Sequence, residues 1–206
     1  MDGVESDDVS MAKGLVFESA RSDAFGGRIS QSQLLENRIF QDLDSWGFIY
    51  AINGTEHTHP EFVGKIKDST DLTTLSIRFQ PDGVFTFENK SAYIEAKNSV
   101  FIERLAYENY MRLHQSGYRV YTVFFNREKD SIGFCRINQL KFVDVLKTPN
   151  PKCWPIVDGW LSPRNDPQYK SKIAGWGGSG TDYRKIEWWK LYKWRRFSEI
   201  KHALSK

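Results

Sequence analysis

Two runs of strand-forming residues joined by a polar turn constrain the fold of this chain more than any other feature. Residues 84–87 are β-branched or aromatic, and a second extended run begins at Ala92 after four polar residues. The pattern predicts a β-hairpin. In an antiparallel pair the start of the first strand lies beside the end of the second, so Asp82 is expected near Glu95 and Lys97.

The charged residues at this end of the hairpin indicate a metal site. Glu95 and Lys97 are two positions apart, so their side chains leave the same face of a strand. Carboxylates that lie close together repel each other unless a cation lies between them. Mg²⁺ is the expected ion, because it takes one or two protein carboxylates and keeps water and phosphate oxygens in its other positions.

The segments Pro81-Asp82 and Glu95-Ala96-Lys97 resemble the two halves of the PD-(D/E)XK nuclease motif. The resemblance implies an α/β fold with a restriction-endonuclease-like, junction-resolvase-like αβββαβ core and a mixed central sheet flanked by helices. It also implies that Asp82, Glu95 and the Ala96 carbonyl hold Mg²⁺, for which Mn²⁺ would substitute. Lys97 would position or activate water for hydrolysis of a DNA phosphodiester bond, leaving a 5′-phosphate.

The elements around the hairpin are predicted in the order helix, three strands, helix and strand, which is the order of that family's core. The first helix, over 30–46, carries Glu36. By resemblance Glu36 joins the catalytic group or binds a second metal ion, and a solvated helix acid is the alternative. The strand over 118–125 is apolar enough to be buried on both sides, parallel to the strand bearing Glu95. The other predictions are strands over 48–52, 75–87 and 132–136 and helices over 99–116, capped by Ser99, and 138–146.

The C-terminal part of the chain is basic and aromatic. Residues 170–206 hold ten Lys or Arg and three Asp or Glu, whereas acids outnumber bases in the rest of the chain. Residues 148–180 are rich in Pro and Gly, which predicts irregular structure, with 175–180 as a hinge or covering loop. Residues 181–203 are predicted to form a helix. Its predicted core side contains Tyr183, Ile186, Trp189, Leu191, Trp194, Phe197 and Ile200.

The outer face of that predicted helix combines aromatic rings with cations. Such a face suits nucleic acid, because cations neutralise phosphates and rings stack on exposed bases. A solvated cationic face or an interface between protomers is the alternative. The candidate nucleic-acid-binding residues are Arg184, Lys185, Trp188, Tyr192, Arg195 and Arg196.

The length of 206 residues favours one domain with terminal extensions. We predict a flexible acidic leader over 1–29, a nuclease core over 30–147, and a Pro/Gly-rich segment with the basic helix, packed on the core, over 148–206. Two cysteines without CxxC spacing, and no signal-like or membrane-length apolar run, predict a reducing, cytoplasmic setting without a membrane. Zinc would need ligands without finger-like spacing, so ordinary thiols and loop histidines are the preferred interpretation of Cys135, Cys153, His57 and His59.

The leading hypothesis is therefore a Mg²⁺-dependent endodeoxyribonuclease whose partner is DNA. Junction-resolving, nicking, transposition-linked and site-specific subtypes all stay open, and a homodimer would supply two active sites for cutting both strands. One alternative is a non-catalytic nucleic-acid-binding module on the same fold. Another is an RNA-cleaving endonuclease, given His57 and His59 upstream of the same core.

Overall fold

A six-stranded mixed sheet organises the computed structural model, which describes residues 33–53, 71–150, 153–163 and 182–200. The strands are β1 (Ile49–Ile52), β2 (Gly83–Phe87), β3 (Lys90–Lys97), β4 (Phe101–Glu103), β5 (Val120–Asn126), β6 (Ser131–Arg136), β7 (Ile156–Val157), β8 (Trp160–Leu161), β9 (Tyr183–Lys185) and β10 (Tyr192–Lys193). The large sheet has the order β1-β2-β3-β5-β6-β10, and a four-stranded sheet has the order β4-β9-β8-β7.

The helices pack on the large sheet or connect its strands. The described part of α1 covers 33–45, α2 is Leu72–Arg78 and α3 is Arg104–Gln115. Because α3 links β3 to β5 by a crossover, these two strands are parallel, while the other neighbours in both sheets are antiparallel. The predicted α/β class with a mixed central sheet flanked by helices is confirmed.

The β2–β3 hairpin forms where the sequence predicts it. Its register pairs Gly83 with Ile94 and Phe87 with Lys90, which leaves a two-residue turn. Glu88 in that turn has a positive φ of 54°, as the left-handed conformation of such tight turns requires. The register brings the segment just before β2 beside the end of β3.

The core lies on both faces of the large sheet. On one face, α1 and the C-terminal residues contribute Ile39, Leu43 and Phe197 to a cluster with Phe85. On the other face, α3 contributes to a second cluster whose members include Ile102, Ala106, Tyr110, Phe124 and Ile186. Alternate residues of β5 enter the two clusters, so this strand is buried on both sides as predicted.

Three predicted elements in the middle of the chain are wrong in part or in whole. The first part of the predicted 75–87 strand is helical in α2, and only Gly83–Phe87 is strand. The helix predicted from Ser99 begins at Arg104, because Phe101–Glu103 pairs with β9 instead. The helix predicted over 138–146 is replaced by the 3₁₀ turns Ile137–Gln139 and Val145–Lys147.

The predicted C-terminal helix is also wrong within the described residues. That segment forms β9, the 3₁₀ turn Trp188–Lys190, β10 and the 3₁₀ helix Trp194–Glu199. The periodicity reflected real burial in part, since Ile186, Trp194, Phe197 and Ile200 are buried, but Trp189 is 66% exposed. Two strands, β7 and β8, also interrupt the region predicted to be irregular.

Strand pairing explains why the helical pattern fails. Backbone groups of β9 pair with β4 and β8, and those of β10 pair with the edge of β6. Sheet edges thus satisfy hydrogen bonds that a helix would have made internally. No helix among the described residues is long and apolar enough to span a membrane. The predicted leader over 1–29, the loop over 175–180, His57 and His59 lie outside the described residues.

Candidate active site

Two reciprocal hydrogen bonds join the start of β2 to the end of β3. The Asp82 N–H donates to Glu95 Oε2 at 3.3 Å, and the Ala96 N–H donates to Asp82 Oδ2 at 2.6 Å. Both carboxylates are buried, with 6% of Asp82 and 3% of Glu95 exposed. The structure therefore brings together the two acidic residues that the hairpin pattern places at this end.

Glu95 is also bound by a cation and by a phenol. Its Oε1 lies 2.6 Å from the Lys97 ammonium, whose side chain leaves the same face of β3 and is 26% exposed. The Tyr110 side chain makes a hydrogen bond with Glu95 from α3, which packs on that face. The Lys97 end of this group reaches solvent, whereas the tyrosine end is buried.

Burial and neighbouring carboxylates disfavour the ionised form of Asp82. Burial is the largest reason why its pKa is raised well above the usual value, and the charge of Glu95 raises the pKa further. Glu36 acts in the same direction, while Lys97 and the Ala96 N–H oppose the shift. A bound cation would favour the ionised form of Asp82, which burial here disfavours.

Lys97 is held as an ammonium in this arrangement. Burial by itself lowers the pKa of Lys97, but the carboxylates of Glu95, Glu103 and Asp82 together raise it above the ordinary lysine value. A charged, partly exposed ammonium can donate hydrogen bonds to a water or to a phosphate oxygen. The arrangement therefore suits electrostatic stabilisation of an anionic substrate.

The Ala96 carbonyl belongs to the same group by strand geometry. The Tyr93 N–H donates to Arg119 O on the β5 side of β3, so Ala96, three residues later, directs its backbone groups to the β2 side. Its N–H indeed binds Asp82. Since the N–H and C=O of one strand residue point to the same neighbour, the carbonyl also faces the space beyond the start of β2.

Glu36 is buried on α1, with 7% of it exposed, and its charge acts on Asp82. Among the described residues, however, no group of three or more His, Cys, Asp or Glu side chains is arranged to hold a metal ion. The role of Glu36 as a third carboxylate ligand therefore stays a prediction. Two carboxylates and a backbone carbonyl form the set that the geometry places together.

Tyr110 is the site residue that sequence analysis missed. Its position on the apolar face of α3 predicted a core residue, and its ring is indeed 1% exposed. Its pKa is raised well above the usual value, first by burial and then by the charges of Glu95 and Asp82. The available signal was the hydroxyl group itself, because a buried tyrosine O–H needs a partner. Tyr107, one turn earlier on α3, packs against Phe142 and Trp160 instead.

The six candidate nucleic-acid-binding residues do not share one helix face. Arg184 and Lys185 lie on β9, and the Arg184 guanidinium stacks on the Phe142 ring with 4.7 Å from its central carbon to the ring centroid. Trp188, Tyr192 and Arg195 line a groove beside β6 and β10, and Arg196 is exposed nearby in the chain. The structure thus separates the candidates into a group on the small sheet and a group at the edge of the large sheet.

Comparisons with known proteins give little help with function. No protein-family model matches the chain, and no curated protein matches its sequence. One similar solved structure is Archaeoglobus fulgidus Hjc, a Holliday junction resolvase from an archaeal hyperthermophile, with 10% identity, a TM-score of 0.43, and coverage of 82% of this chain and 98% of that one.

A second similar structure is D212, a nuclease from a fusselovirus. It shares 10% identity and a TM-score of 0.42, and the match covers 86% of this chain and 93% of that chain. Likenesses of this size do not assign an activity to this chain.

Proposed function

We propose that this chain is a metal-dependent endonuclease that hydrolyses phosphodiester bonds in DNA and leaves a 5′-phosphate. The observation that carries the proposal is the convergence of buried Asp82 and Glu95 with the partly exposed Lys97 at one end of a hairpin. An acidic pair of this kind is costly to bury unless a cation is bound. The PD-(D/E)XK resemblance of the same residues supports this interpretation.

Asp82, Glu95 and the Ala96 carbonyl would hold Mg²⁺ or Mn²⁺, with Glu36 as the candidate for a second ion. All these donors are hard oxygen atoms, which fits either metal. When bound, such an ion polarises a phosphoryl oxygen and lowers the pKa of its bound water.

The chain's own residues would bind the scissile phosphate and position water. The Lys97 ammonium faces solvent and can donate to a phosphate oxygen or to the attacking water. The Tyr110 hydrogen bond orients Glu95 from the buried side. The reciprocal hydrogen bonds between Asp82 and β3 fix the separation of the two carboxylates, which reduces the reorganisation needed during reaction.

A cleavage assay separates an enzyme from a non-catalytic binding module. Linear, branched and single-stranded DNA would be incubated with Mg²⁺ and either wild type, Asp82→Ala or Lys97→Ala. We expect cleavage by wild type and loss of at least about 100-fold in rate for each variant. The exposed substitutions Asp44→Ala and Lys141→Ala are the matched controls and should retain activity.

Three outcomes would change the proposal. Binding of all substrates without metal-dependent cleavage would favour the binding module. Faster cleavage of RNA of the same sequence would favour an RNA-cleaving enzyme. Cleavage that survives Asp82→Ala would place the active site elsewhere.

The exposed pair Arg195 and Arg196 is proposed to contact phosphates. Replacement of both by alanine should weaken binding and reduce the slope of log affinity against log salt by about one per lost phosphate contact. Fluorescence anisotropy of a labelled duplex over a salt series measures this slope. An unchanged slope would exclude a phosphate-contacting role for the pair.

A further inference from the structure

One side of α1 lines two grooves. Leu34, Arg38, Asp42 and Trp46 follow one another at intervals of four residues, so they share one side of the helix. Leu34 and Arg38 line a groove of about 380 Å³. Arg38, Asp42 and Trp46 line a second groove of about 760 Å³. Arg38 lines both, so the two grooves adjoin at this side chain, and together they are called the α1 groove.

The two ends of the α1 groove differ in chemistry. At one end it is lined by Asn98, which directly follows Lys97, and by Arg127 just after β5. At the other end it is lined by Trp189 and Tyr192, whose side chains are 66% and 50% exposed. The α1 groove therefore extends from the end of β3, on the face opposite the Glu95 and Lys97 side chains, to two exposed aromatic rings.

The charge of the α1 groove favours a polyanion. Asp42 and Asp130 are its acidic lining residues, and Asp42 accepts a hydrogen bond at 2.7 Å from the Trp194 indole. Five cationic side chains line the same groove: Arg38, Arg127, Lys129, Lys193 and Arg195. Cations that follow a groove ending in exposed rings are the combination that binds unpaired nucleic acid, since phosphates meet the cations and bases stack on the rings.

The length of the α1 groove matches a short stretch of nucleic acid. The distance along α1 from Leu34 to Trp46 is about 18 Å at 1.5 Å per residue, which matches about five nucleotides at the stacked spacing of 3.4 Å. A groove of this volume accepts one or two nucleotides beside the rings. Bases inside a duplex are stacked on one another and hydrogen-bonded, so they cannot stack on Trp189 and Tyr192 without leaving the helix.

We propose that the α1 groove binds an unpaired DNA strand, so that the substrate class is a duplex joined to a single-stranded segment of about five nucleotides or more. The proposal deepens the proposed function and rests on it, because the strand belongs to the DNA that the candidate active site would hydrolyse. Trp189 and Tyr192 are the stacking residues, and Arg38 holds the phosphates between the two ends.

Equilibrium binding tests the α1 groove independently of cleavage. Fluorescence anisotropy in EDTA would compare the full chain on a blunt duplex and on the same duplex with thymidine tails of two, four, six and eight nucleotides. We expect affinity to rise until the tail reaches about five nucleotides. The double variant Trp189→Ala with Tyr192→Ala should lose about tenfold or more on the tailed duplex and remain unchanged on the blunt one.

Tyr118→Ala is the matched control. Its side chain is 52% exposed, and it lies before the start of β5, at the end of that strand opposite Asn126 and Arg127. An abasic tail of equal length tests stacking, because it keeps the phosphates and removes the bases. Equal affinity for thymidine and abasic tails, or equal affinity for tailed and blunt duplexes, would overturn the proposal.

Cleavage rates on the same substrates separate this proposal from the proposed function. If the double variant Trp189→Ala with Tyr192→Ala abolishes tail-dependent binding, the result supports strand binding in the α1 groove even when no substrate is cleaved. In that case only the nuclease proposal fails. If blunt and tailed duplexes are cleaved equally fast, and the double variant cleaves both as fast as wild type, the proposal of strand binding in the α1 groove is overturned. The nuclease proposal then stays intact.

Discussion

Asp82→Asn should stabilise the metal-free protein while it abolishes activity. Asp82 is buried beside Glu95, and burial and the charge of Glu95 both raise its pKa. Asparagine has nearly the same shape and keeps an oxygen that can accept the Ala96 N–H. The substitution therefore removes one of two repelling charges without removing the hydrogen bond.

The expected magnitude follows from Coulomb's law. Two carboxylates at a separation on the order of 5 Å repel by about 3 kcal/mol at an effective dielectric constant of 20. The Lys97 ammonium, 2.6 Å from Glu95, offsets part of this repulsion. We expect the free energy of unfolding to rise by about 1–2 kcal/mol, which corresponds to about 2–8 °C in Tm for a domain of this size.

The effect should depend on pH and on metal. A carboxyl group whose pKa is raised by folding stabilises the protein fully below the unfolded pKa of about 4 and loses that contribution as the pH rises through the folded pKa. The difference in Tm between Asp82→Asn and wild type should thus be absent below about pH 4 and largest above the raised pKa. Mg²⁺ should raise the Tm of wild type more than that of the variant, because only wild type retains both carboxylates.

Thermal unfolding in EDTA, with and without added Mg²⁺, measures these differences. Asp130→Asn is the matched control, since Asp130 is exposed and both residue types tolerate its left-handed conformation. A metal-free Tm for Asp82→Asn at or below that of wild type throughout a pH series from 4 to 9 would refute the reasoning, because it would show that the buried carboxylate is not under electrostatic strain.

Three further predictions concern other residues. Tyr110→Phe removes the hydrogen bond to Glu95 and should lower kcat by about tenfold with little change in KM. Steady-state cleavage measures both constants, and an unchanged kcat would mean that Tyr110 serves only in packing. Burial raises the pKa of the Cys135 thiol to about 11, so an alkylating reagent at pH 8 should label the exposed Cys153 first. Mass spectrometry detects the labels, and equal labelling of both cysteines would contradict the burial of Cys135. Gly83→Ala adds a Cβ 2.9 Å from a backbone oxygen of β1, so it should lower the free energy of unfolding by about 1–3 kcal/mol. Urea unfolding measures this difference, and an unchanged free energy of unfolding would show that β1 can shift.

Local sequence patterns predicted the hairpin and its charged end correctly. Strand-forming residues on both sides of a polar turn fix the register, and the register places Asp82 beside Glu95. The period of two along β3 places Lys97 on the same face as Glu95, as the 2.6 Å contact confirms. The apolar run of β5 likewise predicted burial on both sides.

Elements of secondary structure that depend on distant pairing partners were predicted poorly. Residues 182–200 have helical periodicity, yet they add β9 to β4 and β10 to β6, because the available sheet edges satisfy their backbone hydrogen bonds. Trp189 was assigned to the core from that periodicity and is exposed instead. A sequence window cannot show which sheet edges will be open to it.

The sequence by itself therefore determined the α/β class, through the order of its predicted elements. It also determined the hairpin and the convergence of Asp82, Glu95 and Lys97, since these depend on spacing within about 20 residues. Only the tertiary structure decided that Tyr110 contacts Glu95, and that Arg38 on α1 lines both the groove beside Asn98 and the groove beside Trp189 and Tyr192. These arrangements require elements far apart in the chain to pack on one sheet. Packing of that kind is set by the whole core and leaves no local periodic signal.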